Sequence, residues 1–150
     1  MIRSHHLPLL ASDNHQITSP PTDSYNCIAW AACDSERFWW PSPGTPSYWP
    51  DGVEQAETLE AFRAAFESLG FVECDSSEHE DGVQRIALYV GADGVPTHAA
   101  RQLLDGGWTS KLGRAVDIRH ATANAVCGPL YGEIAIYMSR PRDSEDPCAP

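Results

Sequence analysis

The chain has 150 residues, 42% of them hydrophobic, and a formal net charge of −11. This length suits one domain with a real core, and the acidic balance argues against nucleic-acid binding, because phosphate backbones are bound by basic patches. The first ten residues carry no secretory signal, and no stretch approaches the roughly 20 apolar residues that span a bilayer. We therefore expect a cytoplasmic protein without nucleic-acid or membrane partners, and the sequence leaves its oligomeric state open.

Composition divides the chain into three segments. Residues 1–22 are polar and contain Pro20 and Pro21, which predicts a flexible N-terminal arm. Residues 23–140 carry the apolar patterning and are expected to form a single domain, whereas the polar, proline-rich stretch 141–150 predicts a disordered tail. The five cysteines show no framework spacing, so we expect free thiols.

The first half of the domain is predicted to contain two helices joined by a long loop. Alanines favour a short helix over 26–33. Residues 38–52 hold three tryptophans and four prolines, so this stretch is predicted to be a loop. A second helix is predicted over 53–69, because apolar residues recur at helical spacing before the C-terminal stop Gly70.

The second half of the domain has the period-two patterning of strands, separated by turns rich in Asp and Gly. The predicted strands are 71–74, 85–90, 97–103, 108–112 and 133–138. Helices followed by an antiparallel meander indicate an α+β fold. We expect a short helix packed on an antiparallel sheet of four to six strands.

Cys27 is the first residue that could carry chemistry. It lies in the first turn of the predicted helix, where free backbone N–H groups and the positive end of the helix dipole favour a thiolate. The same N–H groups could stabilise an oxyanion after the sulfur attacks a carbonyl. The alternative is that Cys27 is a small buried hydrophobic residue.

His98 is the second such residue, near the start of a predicted strand and just after a turn containing Gly and Pro. A histidine there can point from the sheet toward the helix start, although it may equally well be an ordinary half-buried strand residue. A Cys and a His that are distant in sequence and meet across a helix–sheet interface are typical of cysteine-dependent catalysis. The pair predicts Cys27 as nucleophile and His98 as its base.

Three motifs, YNCIAWA, THAAR and WTSKLG, carry a family resemblance. Together they resemble the papain-like superfamily in its small bacterial forms, which is related to the cell-wall amidase/peptidase and transglutaminase-like branches. The patterns YNCxAWA, HAARQ and WxSKLG also resemble those of a distinct bacterial family, and that likeness implies no particular activity. The superfamily resemblance implies a papain-like architecture over 23–140, with a polar residue on the next strand that orients the histidine.

The identity of this orienting residue depends on the register of the next strand. A three-residue loop pairs Gln102 with Ser110 and puts Ser110 on the face of His98, whereas a two-residue loop would bring Lys111 to that face. We take Ser110 as the third catalytic residue. Asp117 and His120, just beyond the strand, are the alternatives.

Four further residues could complete the site. Lys111 would stabilise a nearby thiolate, unless it is a solvated strand residue. Asn26 could donate a hydrogen bond to the oxyanion or simply cap the helix. Tyr25 and Trp30 could line the site or belong to the core.

The function predicted from these residues is a cysteine-dependent hydrolase or acyl transferase acting on a peptide, isopeptide or side-chain amide of a protein or peptide substrate. We expect no cofactor and no metal, because a zinc site built from Cys27, His98 and His120 lacks an evident fourth ligand. Two alternatives remain open. One is a non-catalytic protein-binding or immunity-type domain on the same fold, and the other is a toxin-like effector with the same mechanism.

Overall fold

A computed structural model describes residues 7–10, 14–42, 46–112 and 116–142. Its main feature is a seven-stranded sheet in which every neighbouring pair is antiparallel. The strands are β1 (His15–Ser19), β2 (Val72–Cys74), β3 (Val83–Val90), β4 (Pro96–Gln102), β5 (Trp108–Lys111), β6 (Asp117–His120) and β7 (Glu133–Pro141). Their order across the sheet is β1-β6-β5-β4-β3-β7-β2.

Helices contribute little to the described residues. They comprise α1 (Cys27–Ala31), α2 (Leu59–Glu67) and a single 3₁₀ turn at Ala123–Val126. The second helix is shorter than predicted because Thr58 is its N-cap, with a side-chain oxygen that accepts from the N–H of Ala61. The expected α+β papain-like fold is therefore wrong: the protein is β-rich, and its sheet has more strands than the four to six expected.

The two unforeseen strands are β1 and β6, which pair with each other. Part of the predicted flexible arm is thus an edge strand of the sheet. Both strands are short and polar, so they lack the alternation that marks a strand in the sequence, and the pairing itself defines them. Residues 1–6, 11–13 and 143–150 of the predicted arm and tail lie outside the described part of the chain.

Each face of the sheet is covered by its own hydrophobic core. On one face α1, α2 and the aromatic loop pack against residues of β3 and β4, including Ile86, Leu88 and Ala99. The opposite face carries Ala87, Tyr89, Ala100, Trp108, Ile118 and Tyr131. Because both faces are buried, the central strands are almost continuously inaccessible to water.

Two general findings concern membranes and thiols. Within the described ranges, no helix is long and apolar enough to cross a bilayer. Cys27, Cys74 and Cys127 are free thiols. Cys33 is disulfide-bonded, so the expectation of free thiols throughout was wrong for that residue.

Candidate functional site

Cys27 is the first residue of α1 and is almost inaccessible, with 7% of its surface exposed. Burial raises the pKa of its thiol to about 11, although the backbone N–H groups of Ala99, Ile28 and Cys27 itself, and the charge of Lys111, act in the opposite direction. The resting sulfur is therefore a neutral thiol at pH 7. The predicted setting at a helix start is present, but burial outweighs it.

Among the described residues, the ladder between β4 and β5 is short and does not extend to His98. It consists of the pairs Arg101–Thr109 and Gln102–Trp108. The start of α1 packs beside the rest of β4, where the N–H of Ala99 is directed at the Cys27 sulfur. The thiol thus lies against the strand position that follows His98.

His98 projects from the opposite face of the sheet. It pairs with Tyr89 across the β3–β4 ladder, and its ring is fully buried between Tyr89, at a centroid distance of 5.1 Å, and Tyr131, stacked at 3.9 Å. Burial and then the charge of Cys27 raise the pKa of Tyr131. Tyr131 is thus near both members of the predicted pair. No hydrogen bond joins Cys27 to His98, because His98 Nδ1 has no partner among the described residues.

A continuous chain of buried hydrogen bonds leads away from the other ring nitrogen. His98 Nε2 lies 3.0 Å from Ser110 Oγ, which lies 2.8 Å from His120 Nε2. His120 Nδ1 in turn lies 2.7 Å from the carbonyl oxygen of Thr122. The three side chains are at most 1% exposed, so water does not compete for these bonds.

The carbonyl at the end of this chain determines where the protons lie. A carbonyl oxygen only accepts, so Nδ1 of His120 must donate to it. Burial lowers the pKa of His120 to about 4, so its ring is neutral and Nε2 accepts from the Ser110 hydroxyl. Ser110 then accepts from His98 Nε2–H. Burial, followed by the proximity of His120, lowers the pKa of His98 well below its ordinary value. His98 is therefore neutral, with a lone pair on Nδ1.

Ser110 makes the predicted contact with His98, although the register assumed for it was wrong. Gln102 pairs with Trp108 rather than with Ser110. The difference is two residues, so the same side chains stay on the same face. Of the two alternatives for the orienting role, His120 is linked to His98 through the Ser110 hydroxyl. Asp117 instead accepts a hydrogen bond from Tyr25.

Asp117 accepts a 2.5 Å hydrogen bond from the hydroxyl of Tyr25 and lies directly across the β5–β6 ladder from Lys111. Lys111 is fully buried, with its Nζ 5.5 Å from the centre of the Tyr25 ring. Burial lowers the pKa of Lys111, while the charges of Asp117, Cys27 and Asp23 raise it. Lys111 is therefore a buried cation near the thiol and not a solvated strand residue.

Tyr25 and Trp30 form an aromatic pair on the α1 side of the site. Their rings stack at 5.3 Å, and the indole N–H of Trp30 donates to Thr109 Oγ1 at 3.0 Å. Tyr25 is 8% exposed. Both residues hold α1 against β5, which is the core role, and Tyr25 also lies beside Lys111 at the site.

Asn26 is the helix cap. Its Oδ1 accepts from the backbone N–H groups of Ala29 and Trp39, and its Nδ2 donates to the carbonyl of Trp39 at 2.7 Å. These bonds fix both the start of α1 and the aromatic loop. They direct the amide toward Trp39, so we do not retain Asn26 as an oxyanion donor.

The cap predicts a measurable loss of stability. Replacing Asn26 by Ala removes three buried hydrogen bonds, so the free energy of unfolding should fall by about 2 kcal/mol. Urea denaturation measures this change. Asn124→Ala, at an exposed asparagine, is the matched control and should stay within about 0.5 kcal/mol of the wild type. An unchanged denaturation midpoint for Asn26→Ala would show that these bonds contribute nothing net.

Tyr131 was missed by sequence reasoning. The one signal for it is the glycine that follows. Gly132 has a φ of +78°, and a Cβ there would collide with the carbonyl of Val90. The hydroxyl of Thr97 donates to the Tyr131 carbonyl. This constrained backbone keeps the Tyr131 ring on His98, but nothing in the local sequence identifies the histidine that it covers.

Metal binding finds no support in the described residues, which contain no group of three His, Cys, Asp or Glu side chains that could hold an ion. His98 and His120 face each other through Ser110. They do not converge with Cys27 on a shared point.

The fold and site define a β-rich protein with a buried cysteine on one face of the sheet and a buried histidine–serine–histidine chain on the other. The model of a protein family, described as a domain of unknown function (DUF7689), matches residues 16–139, and the chain belongs to this family. No curated protein and no solved structure matches the chain. The matched range contains every candidate site residue.

Proposed function

We propose that this protein is a cysteine-dependent hydrolase or acyl transferase that acts on an amide, with Cys27 as nucleophile and His98 as general base. The observation that carries the proposal is the lone pair on His98 Nδ1. It is buried and without a hydrogen bond in the described structure, while the neighbouring N–H of Ala99 is directed at the Cys27 sulfur. The two groups lie on different faces of β4 but share a neighbour, because Tyr131 stacks on His98 and the charge of Cys27 raises the pKa of Tyr131. General-base activation needs a basic nitrogen without another partner that can reach the thiol.

The reaction requires the sulfur and His98 Nδ1 to meet past the edge of β4, beside which the described ladder to β5 is limited to Arg101 and Gln102. The thiol proton then passes to Nδ1 as the sulfur attacks the carbonyl carbon. The C=O π bond opens, and the negative charge on its oxygen is stabilised by backbone N–H groups near the sulfur and by the positive charge of Lys111. The C–N bond then breaks, and His98 returns its proton to the leaving amine. Water releases the acyl group in a hydrolase, and an acceptor amine does so in a transferase.

The electrostatics favour a neutral resting pair over a thiolate–imidazolium pair. The thiol pKa is raised to about 11 and the imidazole pKa is lowered, so neither group is charged at pH 7. Proton transfer then accompanies the attack on the substrate, because the negative charge on sulfur is relieved only as the new S–C bond forms. The nearby cation Lys111 lowers the cost of that charge.

The second candidate is a non-catalytic protein-binding or immunity-type domain. The small exposure of Cys27, 7%, and the complete burial of His98 favour it, because a catalytic pair must be reached by its substrate. In that case both residues are core groups. The toxin-like effector shares the catalytic mechanism and differs only in its target, so no feature of the described residues favours it separately.

A protein or peptide is the proposed substrate, and the cytoplasm is the proposed compartment. A relation to the papain-like superfamily has only the motif resemblance in its favour, because the sheet does not have the expected papain-like architecture. Free thiols at Cys27, Cys74 and Cys127 are compatible with a reducing compartment, whereas the disulfide of Cys33 weighs against it. Alkylation of thiols in intact cells before lysis decides between a reducing and an oxidising compartment. Labelling of Cys33 would indicate the reducing one, and protection of Cys33 would indicate the oxidising one.

Covalent capture tests the enzymatic proposal. The purified protein is incubated with a panel of activated peptide and glutamine-type acyl donors, and adducts are located by peptide mass spectrometry. We expect an acyl group on Cys27 that is lost in Cys27→Ser and reduced by about 100-fold or more in His98→Gln.

Cys127→Ser is the matched control, because Cys127 is also a free thiol and is 4% exposed. This variant should acylate like the wild type. If the wild type and Cys27→Ser released the leaving group of the acyl donor at equal rates, the proposal would be overturned. The non-catalytic binding domain would then be the better interpretation.

A further inference from the structure

We infer that His120 is the positioning residue of His98, and that it acts through the Ser110 hydroxyl to hold the tautomer with a lone pair on Nδ1. The catalytic meaning of this inference rests on the proposed function. Its structural content, the direction of a hydrogen-bond chain, does not. His120 touches neither the sulfur nor any reacting atom, so its role is separate from that of the catalytic pair.

Ser110 alone cannot set the tautomer. A hydroxyl both donates and accepts, and its hydrogen rotates to suit its neighbours. If the Ser110 hydroxyl donated to His98 Nε2, the ring proton would move to Nδ1 and the base would be lost. An acceptor on the far side of Ser110 is needed to draw its hydrogen away from His98.

His120 supplies that acceptor, and the backbone fixes it in this role. Its Nδ1–H is committed to the Thr122 carbonyl at 2.7 Å, which leaves Nε2 to accept from Ser110 at 2.8 Å. The adjacent backbone is held in turn, since the N–H of Ala121 donates to the carbonyl of Asn14. The β5–β6 ladder pairs His120 with Trp108 and Ser110 with Ile118. The acceptor therefore stays in place when the ring of His98 changes its charge.

The arrangement also explains why a histidine occupies a buried strand end. An imidazole has a donor and an acceptor on opposite sides of one rigid ring, so it can join a carbonyl to a hydroxyl across a fixed span. A leucine at position 120 would fill similar space with neither function. A glutamine keeps an acceptor oxygen that can face Ser110.

Nuclear magnetic resonance of the ¹⁵N-labelled protein reads the tautomer directly, through long-range correlations of the ring nitrogens. In the wild type we expect His98 to be protonated on Nε2 and to have a lone pair on Nδ1. His120→Leu should shift His98 toward the Nδ1–H tautomer and slow acylation of Cys27 by about 100-fold. His120→Gln should retain the wild-type tautomer and most of the rate, and His98→Gln assigns the signals.

Two results would overturn the inference: a wild-type His98 with its proton on Nδ1, or a His120→Leu protein that keeps the wild-type tautomer. Because the wild-type spectrum alone tests the direction of the chain, a variant that fails to fold does not remove the test. The proposed function fails separately. If Cys27→Ser acylates normally while the tautomer still responds at position 120, the enzyme assignment is wrong and the positioning role stands.

Discussion

Lowering the pH from 6.5 to about 4 should destabilise the folded protein by more than about 3 kcal/mol through its two buried histidines. Burial lowers the pKa of His120 from 6.5 to about 4 and that of His98 well below its ordinary value. In the unfolded chain both rings take up protons near pH 6.5, whereas the folded protein keeps them neutral. The contribution of these two rings to stability is therefore fully present above pH 6.5. It is lost as the pH falls toward the pKa values of the folded protein.

Urea denaturation at several pH values measures this loss as a decreasing midpoint. His120→Gln removes one of the two titrating groups, so its stability should fall less steeply over the same range. His79→Gln is the control, because His79 is exposed and its replacement should leave the slope unchanged. A wild-type free energy of unfolding that stays flat between pH 6.5 and 4 would show that these rings are accessible to protons in the folded state.

The parts of the fold that could be predicted are those that local sequence determines. Strands β3, β4 and β7 appear close to their predicted positions because alternation and turn residues mark them, and the start of α1 at Cys27 follows from its alanines and its cap. The contact of Ser110 with His98 was also predictable. A hairpin register uncertain by two residues still places side chains on the same face.

Tertiary pairing decided the parts that could not be predicted. Strand β6 has only four residues, Asp117–His120, and gains its identity from neighbours on both sides in the sheet. The same strand aligns His120 with the chain to His98 and places Asp117 beside Lys111. Because these relations depend on which strands are adjacent, the sequence could offer His120 and Asp117 only as alternatives and could not assign their contacts. The α+β expectation failed for the same reason, since β1 and β6 enlarge the sheet without a local signal.

The acid–base state of Cys27 was also beyond local reasoning. A cysteine at a helix start is expected to have a lowered pKa, but α1 has five residues and its first turn is covered. Loss of hydration destabilises a buried thiolate more than a few N–H groups and one cation stabilise it. The expected direction of the pKa shift was therefore wrong, because burial outweighs the helix start.

Cys27 should consequently react with iodoacetamide far more slowly at pH 7 than a cysteine in an unfolded peptide. Raising the pKa from 9.0 to about 11 leaves about 100-fold less thiolate at neutral pH, and the thiolate is the reactive form. The rate should rise about tenfold per pH unit up to about pH 11, whereas an ordinary thiol levels off near pH 9. Peptide mass spectrometry after timed alkylation gives the rate at Cys27 itself.

Lys111 provides a matched perturbation of the same rate. Lys111→Met removes the positive charge that lowers the Cys27 pKa but keeps a long side chain, so alkylation should become slower still at every pH below 11. Denaturation in urea should restore the rate of an ordinary thiol in both proteins. Rapid alkylation of folded wild type near pH 6 would instead indicate a thiolate–imidazolium pair. That result would contradict the neutral pair, and the proton would then leave sulfur before the substrate arrives rather than during its attack.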